Sequence, residues 1–208
     1  MKVLLINGSP HKAGNTHIAL SEIAKTLTQE GIDSEIVWIG NQPVRGCIAC
    51  ATCKNNNDGK CVFDDDICNT ISAKFNDADG FIFGSPVYYG QPNGALLAIM
   101  QRAFFSNGAN VKDKPGAAVT VCRRGGATAA FEALQMPMQM MNMPLVTSQY
   151  WNIAYGREAG QTAADTEGLQ TMRTLAHNMA FLLRAIEAEK AKSGLPPREP
   201  WQPMHFIR

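Results

Sequence analysis

Two stretches of the chain combine residue types and spacings that could do chemistry. The first, Gly8-Ser9-Pro10-His11-Lys12-Ala13-Gly14-Asn15-Thr16, joins an apolar run to the start of a helical pattern. Amides in the first turn of a helix lack partners and lie at the positive end of its dipole, and Ser9, Lys12, Asn15 and Thr16 add donors for an anion. Gly8 and Gly14 allow a close backbone approach. No Gly-Lys-Ser/Thr is present to hold a triphosphate with magnesium and no G-x-G-x-x-G to hold a pyrophosphate, which leaves a terminal monophosphate. Taken alone, the loop is equally an ordinary turn with Asn15 or Thr16 as helix cap. The second stretch reads C-x2-C-x2-C-x7-C over Cys47, Cys50, Cys53 and Cys61. Three thiols at this spacing can wrap one corner of an iron-sulfur cubane with the fourth closing it, whereas structural zinc more often takes two separated C-x2-C pairs. Reduced thiols, oxidised pairs and bound zinc stay open as alternatives.

Two further loops carry groups suited to a flat heteroaromatic ligand. In Gly84-Ser85-Pro86-Val87-Tyr88-Tyr89-Gly90-Gln91-Pro92, Pro86 and Pro92 stiffen the chain, Gly90 permits a tight turn, and Tyr88 and Tyr89 offer ring faces. In Cys122-Arg123-Arg124-Gly125-Gly126, the two glycines open a helix and Arg123 can offset negative charge on a ligand. Cys122 reads as a small buried hydrophobe, and Trp151 as either a cleft or a core residue.

These loops need elements to hold them. Apolar strand-like runs cover 2–7, 34–39, 80–85, 116–122 and 144–151, and helical patterns cover 16–29, 65–76, 92–105, 126–141 and 165–190. Alternation of fully apolar strands with helices predicts an α/β fold, a three-layer sandwich around a five-stranded parallel sheet. The expected strand order is 2-1-3-4-5, with ligands at the carboxyl ends of the strands beside the switch between strands 1 and 3. Residues 40–64 form a cysteine-rich insertion in a domain spanning 1–194. Pro137 should kink its helix or start a second one, while Met136, Met138, Met140, Met141 and Met143 suit core filling, a subunit contact or a soft wall for substrates. The proline-rich 195–208 predicts an extended arm bearing Trp201, Phe206 and Ile207.

Composition bounds the function. The chain has 208 residues, 45% of them hydrophobic, and a net charge of +1, which gives no reason to expect nucleic acid or a membrane surface as partner. The first apolar run, Val3 to Ile6, is too short for a signal peptide. A cytoplasmic location follows as an expectation, and six cysteines there need an explanation other than disulfides.

The Gly-Ser-Pro and Gly-Asn-Thr of the first loop, with Ser85-Pro86-Val87-Tyr88-Tyr89 after the third strand, resemble the flavodoxin-like NAD(P)H-dependent FMN reductases. The resemblance covers almost the whole chain. It implies that Ser9, Lys12, Gly14, Asn15 and Thr16 take the FMN phosphate, and that Pro86, Val87, Tyr88, Tyr89, Gly90, Arg123, Gly125 and Gly126 surround the isoalloxazine. NAD(P)H would then deliver hydride to the flavin, which passes it to a quinone, a free flavin or a ferric complex, with no catalytic side chain required. The cysteine spacing resembles the iron-sulfur flavoprotein branch, which implies a [4Fe-4S] cluster on Cys47, Cys50, Cys53 and Cys61 and an electron-transfer role toward a small-molecule or protein acceptor. Flavin-only relatives can also carry cysteines here. A homodimer or homotetramer is implied as well.

Overall fold

In the computed structural model of the chain, residues 1–204 are described. The sheet runs β2-β1-β3-β5-β6, formed by β1 (Lys2–Asn7), β2 (Asp33–Trp38), β3 (Gly80–Tyr88), β5 (Gly116–Cys122) and β6 (Ile153–Tyr155), with a two-residue strand β4 (Gln91–Pro92) attached to β3. All main-path pairings are parallel. The order is the expected 2-1-3-4-5.

Unbroken apolar strands follow from burial on both faces. Along β1, Val3 and Leu5 pack with Leu20, Ile23 and Leu27 of α1 (Asn15–Gln29) and with Met172, Leu175 and Met179 of α6 (Thr166–Ser193). Leu4 and Ile6 face the other layer, α3 (Cys68–Lys74), α4 (Gly94–Asn107) and α5 (Ala127–Met140). Phe75, Phe81, Phe83 and Phe104 interlock there, Phe75 meeting Phe81 edge-on at 5.2 Å. Each such ring buries enough apolar area to contribute roughly 1.5–3 kcal/mol.

Three expectations need correction. The fifth strand does not occupy 144–151: Leu145 only bridges Gly116, and the strand proper is Ile153–Tyr155. The Asn152 side chain donates from Nδ2 to Ala118 O (3.0 Å) and Val146 O (3.5 Å), so residues 147–151 leave the ladder and expose Tyr150 and Trp151. Trp151 is therefore not core. The third strand runs on to Tyr88 because Val87 and Tyr88 pair antiparallel with β4 across a turn in which Tyr89 (φ 51°) and Gly90 (φ 77°) both have positive φ. That is the hairpin geometry whose twist matches the flanking strands. The helix expected over 65–76 begins at Cys68, where the Asp66 carboxylate accepts the Cys68 amide, and ends as a 3-10 turn at Phe75–Asp77.

Helix α5 runs unbroken through Pro137 and stops three residues later. The methionines in and just after it divide, Met138 and Met143 being buried while Met136 and Met140 are exposed. Within 40–64 the one regular element is the short helix α2 (Thr52–Asn56). Residues 195–204 carry no regular structure and are exposed, with Arg198 paired to Asp113; Phe206 and Ile207 of the expected arm lie outside the described residues. Among the described residues no helix is long and apolar enough to cross a membrane.

Candidate functional site

A cleft of about 600 Å³ opens at the carboxyl ends of β1, β2, β3 and β5, a size suited to a small organic ligand. One wall is the segment 9–16. Asn7, fully buried at the end of β1, shapes it: Oδ1 accepts the Ser9 amide (3.1 Å) and Nδ2 donates to Lys12 O (3.2 Å). Trp38, which ends β2, donates its indole N–H to Ser9 O at 2.7 Å, and the Ser9 hydroxyl oxygen accepts the His11 amide. Helix α1 then starts at Asn15, after Gly14, which offers no side-chain cap; the first backbone bond runs from Ile18 N–H to Gly14 O. The amides of Asn15, Thr16 and His17 are left without an intrahelical acceptor where the cleft begins.

The opposite wall is Pro86, Val87 and Tyr88, with Val121, Cys122 and Arg123 below. Asn93 ties the two walls together: Nδ2 donates to Gly8 O (2.6 Å), while its backbone N–H reaches Ser85 Oγ (2.8 Å). Burial pushes the Tyr88 phenol and the Cys122 thiol up from their ordinary pKa values, so both stay neutral near pH 7. The third side is the turn after β6, Gly156, Arg157 and Ala159, which Asn15 holds through Nδ2–H to Glu158 O (2.9 Å) and Oδ1 from Thr162 N–H (3.2 Å).

The cysteine loop is built differently. Cys47, Cys50, Cys53 and Cys61 line a single small depression with Ile48, Val62, Phe63, Phe105 and Arg102. Cys47 and Cys50 are exposed, while Cys53, on α2, is buried. Ala49 (φ 54°) and Ala51 (φ 56°) adopt left-handed conformations between the cysteines, and the Ala49 amide donates to Cys47 Sγ at 3.4 Å. Such alternation turns successive amides toward one point and makes a concavity for an anion.

Cys61 is held from three sides. Asn69 accepts its N–H (2.8 Å) and donates to its C=O (2.9 Å), and the Arg102 Nε–H reaches its Sγ at 3.3 Å. The Arg102 side chain is fully buried and pairs with Asp66, itself only 5% exposed. Burial opposes the charge on Arg102, but the hydrogen bonds it donates to Asp66 and then to Cys61 outweigh it and hold the guanidinium protonated. Burial raises Cys53, and the three neighbouring thiols add to the shift. Cys68 is pushed up to about 12 by its burial and takes no part.

A sequence profile of the NADPH-dependent FMN reductases matches residues 1–158. The chain belongs to that family. An iron-sulfur flavoprotein of Methanocaldococcus jannaschii is 32% identical over 90% of this chain and 100% of its own length. Another, from Methanosarcina thermophila, is 30% identical over 92% of this chain and 100% of its own. An archaeal flavodoxin superposes with a TM-score of 0.59 at 16% identity, covering 88% of this chain and 99% of that one, which bears on the fold alone.

In this FMN reductase relative, the structure gathers Ser9, Lys12, Gly14, Asn15, Thr16, Pro86, Val87, Tyr88 and Arg123 around the cleft. Tyr89 is not among them; it stands at the hairpin tip, fully exposed, because its left-handed backbone turns the ring to solvent. Gly90 and Gly126 serve packing instead, since a Cβ on Gly126 would meet Gly90 Cα at 2.8 Å. Gly125 and Arg124 are exposed beyond the rim. Sequence reasoning missed Asn7, Trp38 and Arg157, although Asn7 and Trp38 end strands 1 and 2, where the strand-end rule would have placed them. It also missed Asp66, Asn69 and Arg102, whose roles come from tertiary contact.

Among the described residues no group of three Cys, His, Asp or Glu side chains is placed to hold a metal ion and no cysteine is disulfide-bonded; the four thiols share the wall of one depression beside the turned amides.

Proposed function

We propose that the chain is a two-centre electron-transfer flavoprotein, with FMN in the cleft and a [4Fe-4S] cluster on Cys47, Cys50, Cys53 and Cys61. The gathering of these four cysteines around left-handed Ala49 and Ala51 carries the reading. FMN supplies two-electron exchange with a nicotinamide, and the cluster supplies one-electron exchange with an acceptor. The protein's own part is binding, orientation and electrostatics. The amides of Asn15, Thr16 and His17 and the Ser9 hydroxyl bind the phosphate, Lys12 adds a cation, Tyr88 and Val87 flank the ring, and Arg123 offsets negative charge on it. Gly90 and Gly126 pack against each other behind this wall, while Tyr89 and Gly125 stay outside it. The depression between the thiols is small, about 10 Å³, and Cys47 and Cys50 form its exposed side.

A second reading, direct NAD(P)H oxidation with hydride passed to a small acceptor such as a quinone, a free flavin or a ferric complex, is favoured by the openness of the cleft beside half-exposed Tyr88. Assembly as a homodimer or homotetramer belongs to either reading and would cover Tyr150 and Trp151. The deciding experiment is an anaerobic visible spectrum before and after NADPH, with iron and sulfide assayed on the same sample. Broad absorption over the flavin bands with about four irons per chain supports the two-centre protein. Flavin bands that bleach with NADPH in iron-free protein support the reductase.

A further inference from the structure

Helix α4 links the two regions: it begins at Asn93, which pins the walls of the cleft, and nine residues later presents Arg102 to the cysteine loop. We propose that Arg102 is the positioning residue for Cys61 as a cluster ligand and that its Nε–H on Cys61 Sγ raises the cluster's reduction potential. The inference rests on the two-centre reading above.

The guanidinium has no freedom. Nε–H donates to Cys61 Sγ (3.3 Å), Nη1 to Arg45 O (3.3 Å) and to the Asp66 carboxylate, and Nη2 to Phe63 O (2.7 Å). Four acceptors on four different residues fix one orientation, and Asn69 fixes the backbone of the cysteine that receives the Nε–H. A buried ion pair is a poor choice for bracing alone, because well-packed apolar side chains of similar volume often do as well or better. What they cannot provide is a directed N–H on a thiolate sulfur. Asp66 offsets the positive charge, so the influence of Arg102 on the sulfur is a local hydrogen bond. A cluster held there would carry one more negative charge in its reduced form, and the Arg102 Nε–H at Cys61 Sγ would stabilise that form more than the oxidised one.

The test compares wild type with Arg102→Lys, which keeps the charge, and with the double change Arg102→Met, Asp66→Leu, which leaves no orphan charge. FMN content, iron content and both midpoint potentials are read by anaerobic spectroelectrochemistry. In each variant the equilibrium constant for cluster reduction should fall about tenfold, or about 59 mV for a one-electron couple, while the FMN potential stays put. Loss of iron from Arg102→Lys with FMN retained supports the positioning role, since that variant leaves the Asp66 bond to the Cys68 amide in place. Iron-replete variants with an unshifted cluster potential overturn it and leave the two-centre reading standing. Wild type without iron overturns both. Should the double variant lose flavin and iron together, Arg102→Lys, with its charge still facing Asp66, decides.

Discussion

The cleft and the cysteine loop reach rigidity by opposite routes. The cleft is made of short segments that leave strand ends; bonds within a few residues shape them, as Asn7 does for Ser9 and Lys12, and Asn93 and Asn15 at helix starts tie them together. The cysteine loop makes a long excursion over 40–64 and is held by buried polar side chains from elsewhere: Arg102 on α4, Asn69 on α3 and Asp66 before it. A site of the first kind is complete before its ligand arrives. A site of the second kind is complete only where those side chains reach, so Cys61 is fixed and Cys53 is buried on α2 while Cys47 and Cys50 stand exposed.

The largest test of that contrast removes one proposed ligand of the cluster. Cys53→Ala takes away one of four thiolates at the buried end of the loop and should abolish stoichiometric iron while FMN content stays at one per chain. A matching loss of flavin would mean that the two regions are not independently supported. Next comes Arg102→Met alone, which strands Asp66 in a buried position. Breaking a buried pair in this way costs about 3–5 kcal/mol, to be read from urea unfolding of the iron-free protein. A loss below about 1 kcal/mol would show that the loop is anchored by something other than this pair.

The same contrast explains what was legible in the sequence. Strand-to-helix loops announce themselves locally, because the apolar run, the small residues and the helix start are contiguous, so the strand order and segment 9–16 could be read directly. The cysteine spacing was equally plain. Its support was not: Arg102 lies inside an apolar helix pattern, and nothing in its neighbours says that Cys61 will dock on it. The fifth strand failed for a related reason. Asn152 breaks the ladder by bonding across to Ala118, a contact that the apolar and β-branched run before it does not reveal. Tyr89 failed because its turn requires a left-handed backbone that turns the ring away from the cleft.

On the cleft side, the third test is Gly126→Ala. Gly126 has φ 84° and its added Cβ would lie 2.8 Å from Gly90 Cα. The left-handed backbone alone costs a non-glycine residue about 1–2 kcal/mol, and the contact with Gly90 adds to it. Thermal unfolding should shift downward and FMN should bind less tightly, with iron content unaffected. An unchanged melting temperature would mean that the β3–β4 hairpin yields freely, and so that the cleft is less preformed than its hydrogen bonds imply.

The smallest effect separates two ways in which Asn15 could matter. Both ends of its amide are engaged by the turn after β6, Nδ2 with Glu158 O and Oδ1 with Thr162 N–H, so the side chain acts on a ligand through that turn. Thr16 is buried in the first turn of α1 with no such commitment, where its hydroxyl can meet a phosphate. These two hydrogen bonds, one exposed and one part-buried, contribute on the order of 1 kcal/mol, or roughly fivefold in Kd. Asn15→Ala should therefore weaken FMN and riboflavin alike, because loosening residues 156–162 affects the whole cleft, while Thr16→Ala should weaken FMN and spare riboflavin, which has no phosphate. Titrating both ligands into apoprotein of each variant reads the difference directly. If Asn15→Ala spares riboflavin, the asparagine serves the phosphate itself, and its bonds to the turn give way when the ligand binds.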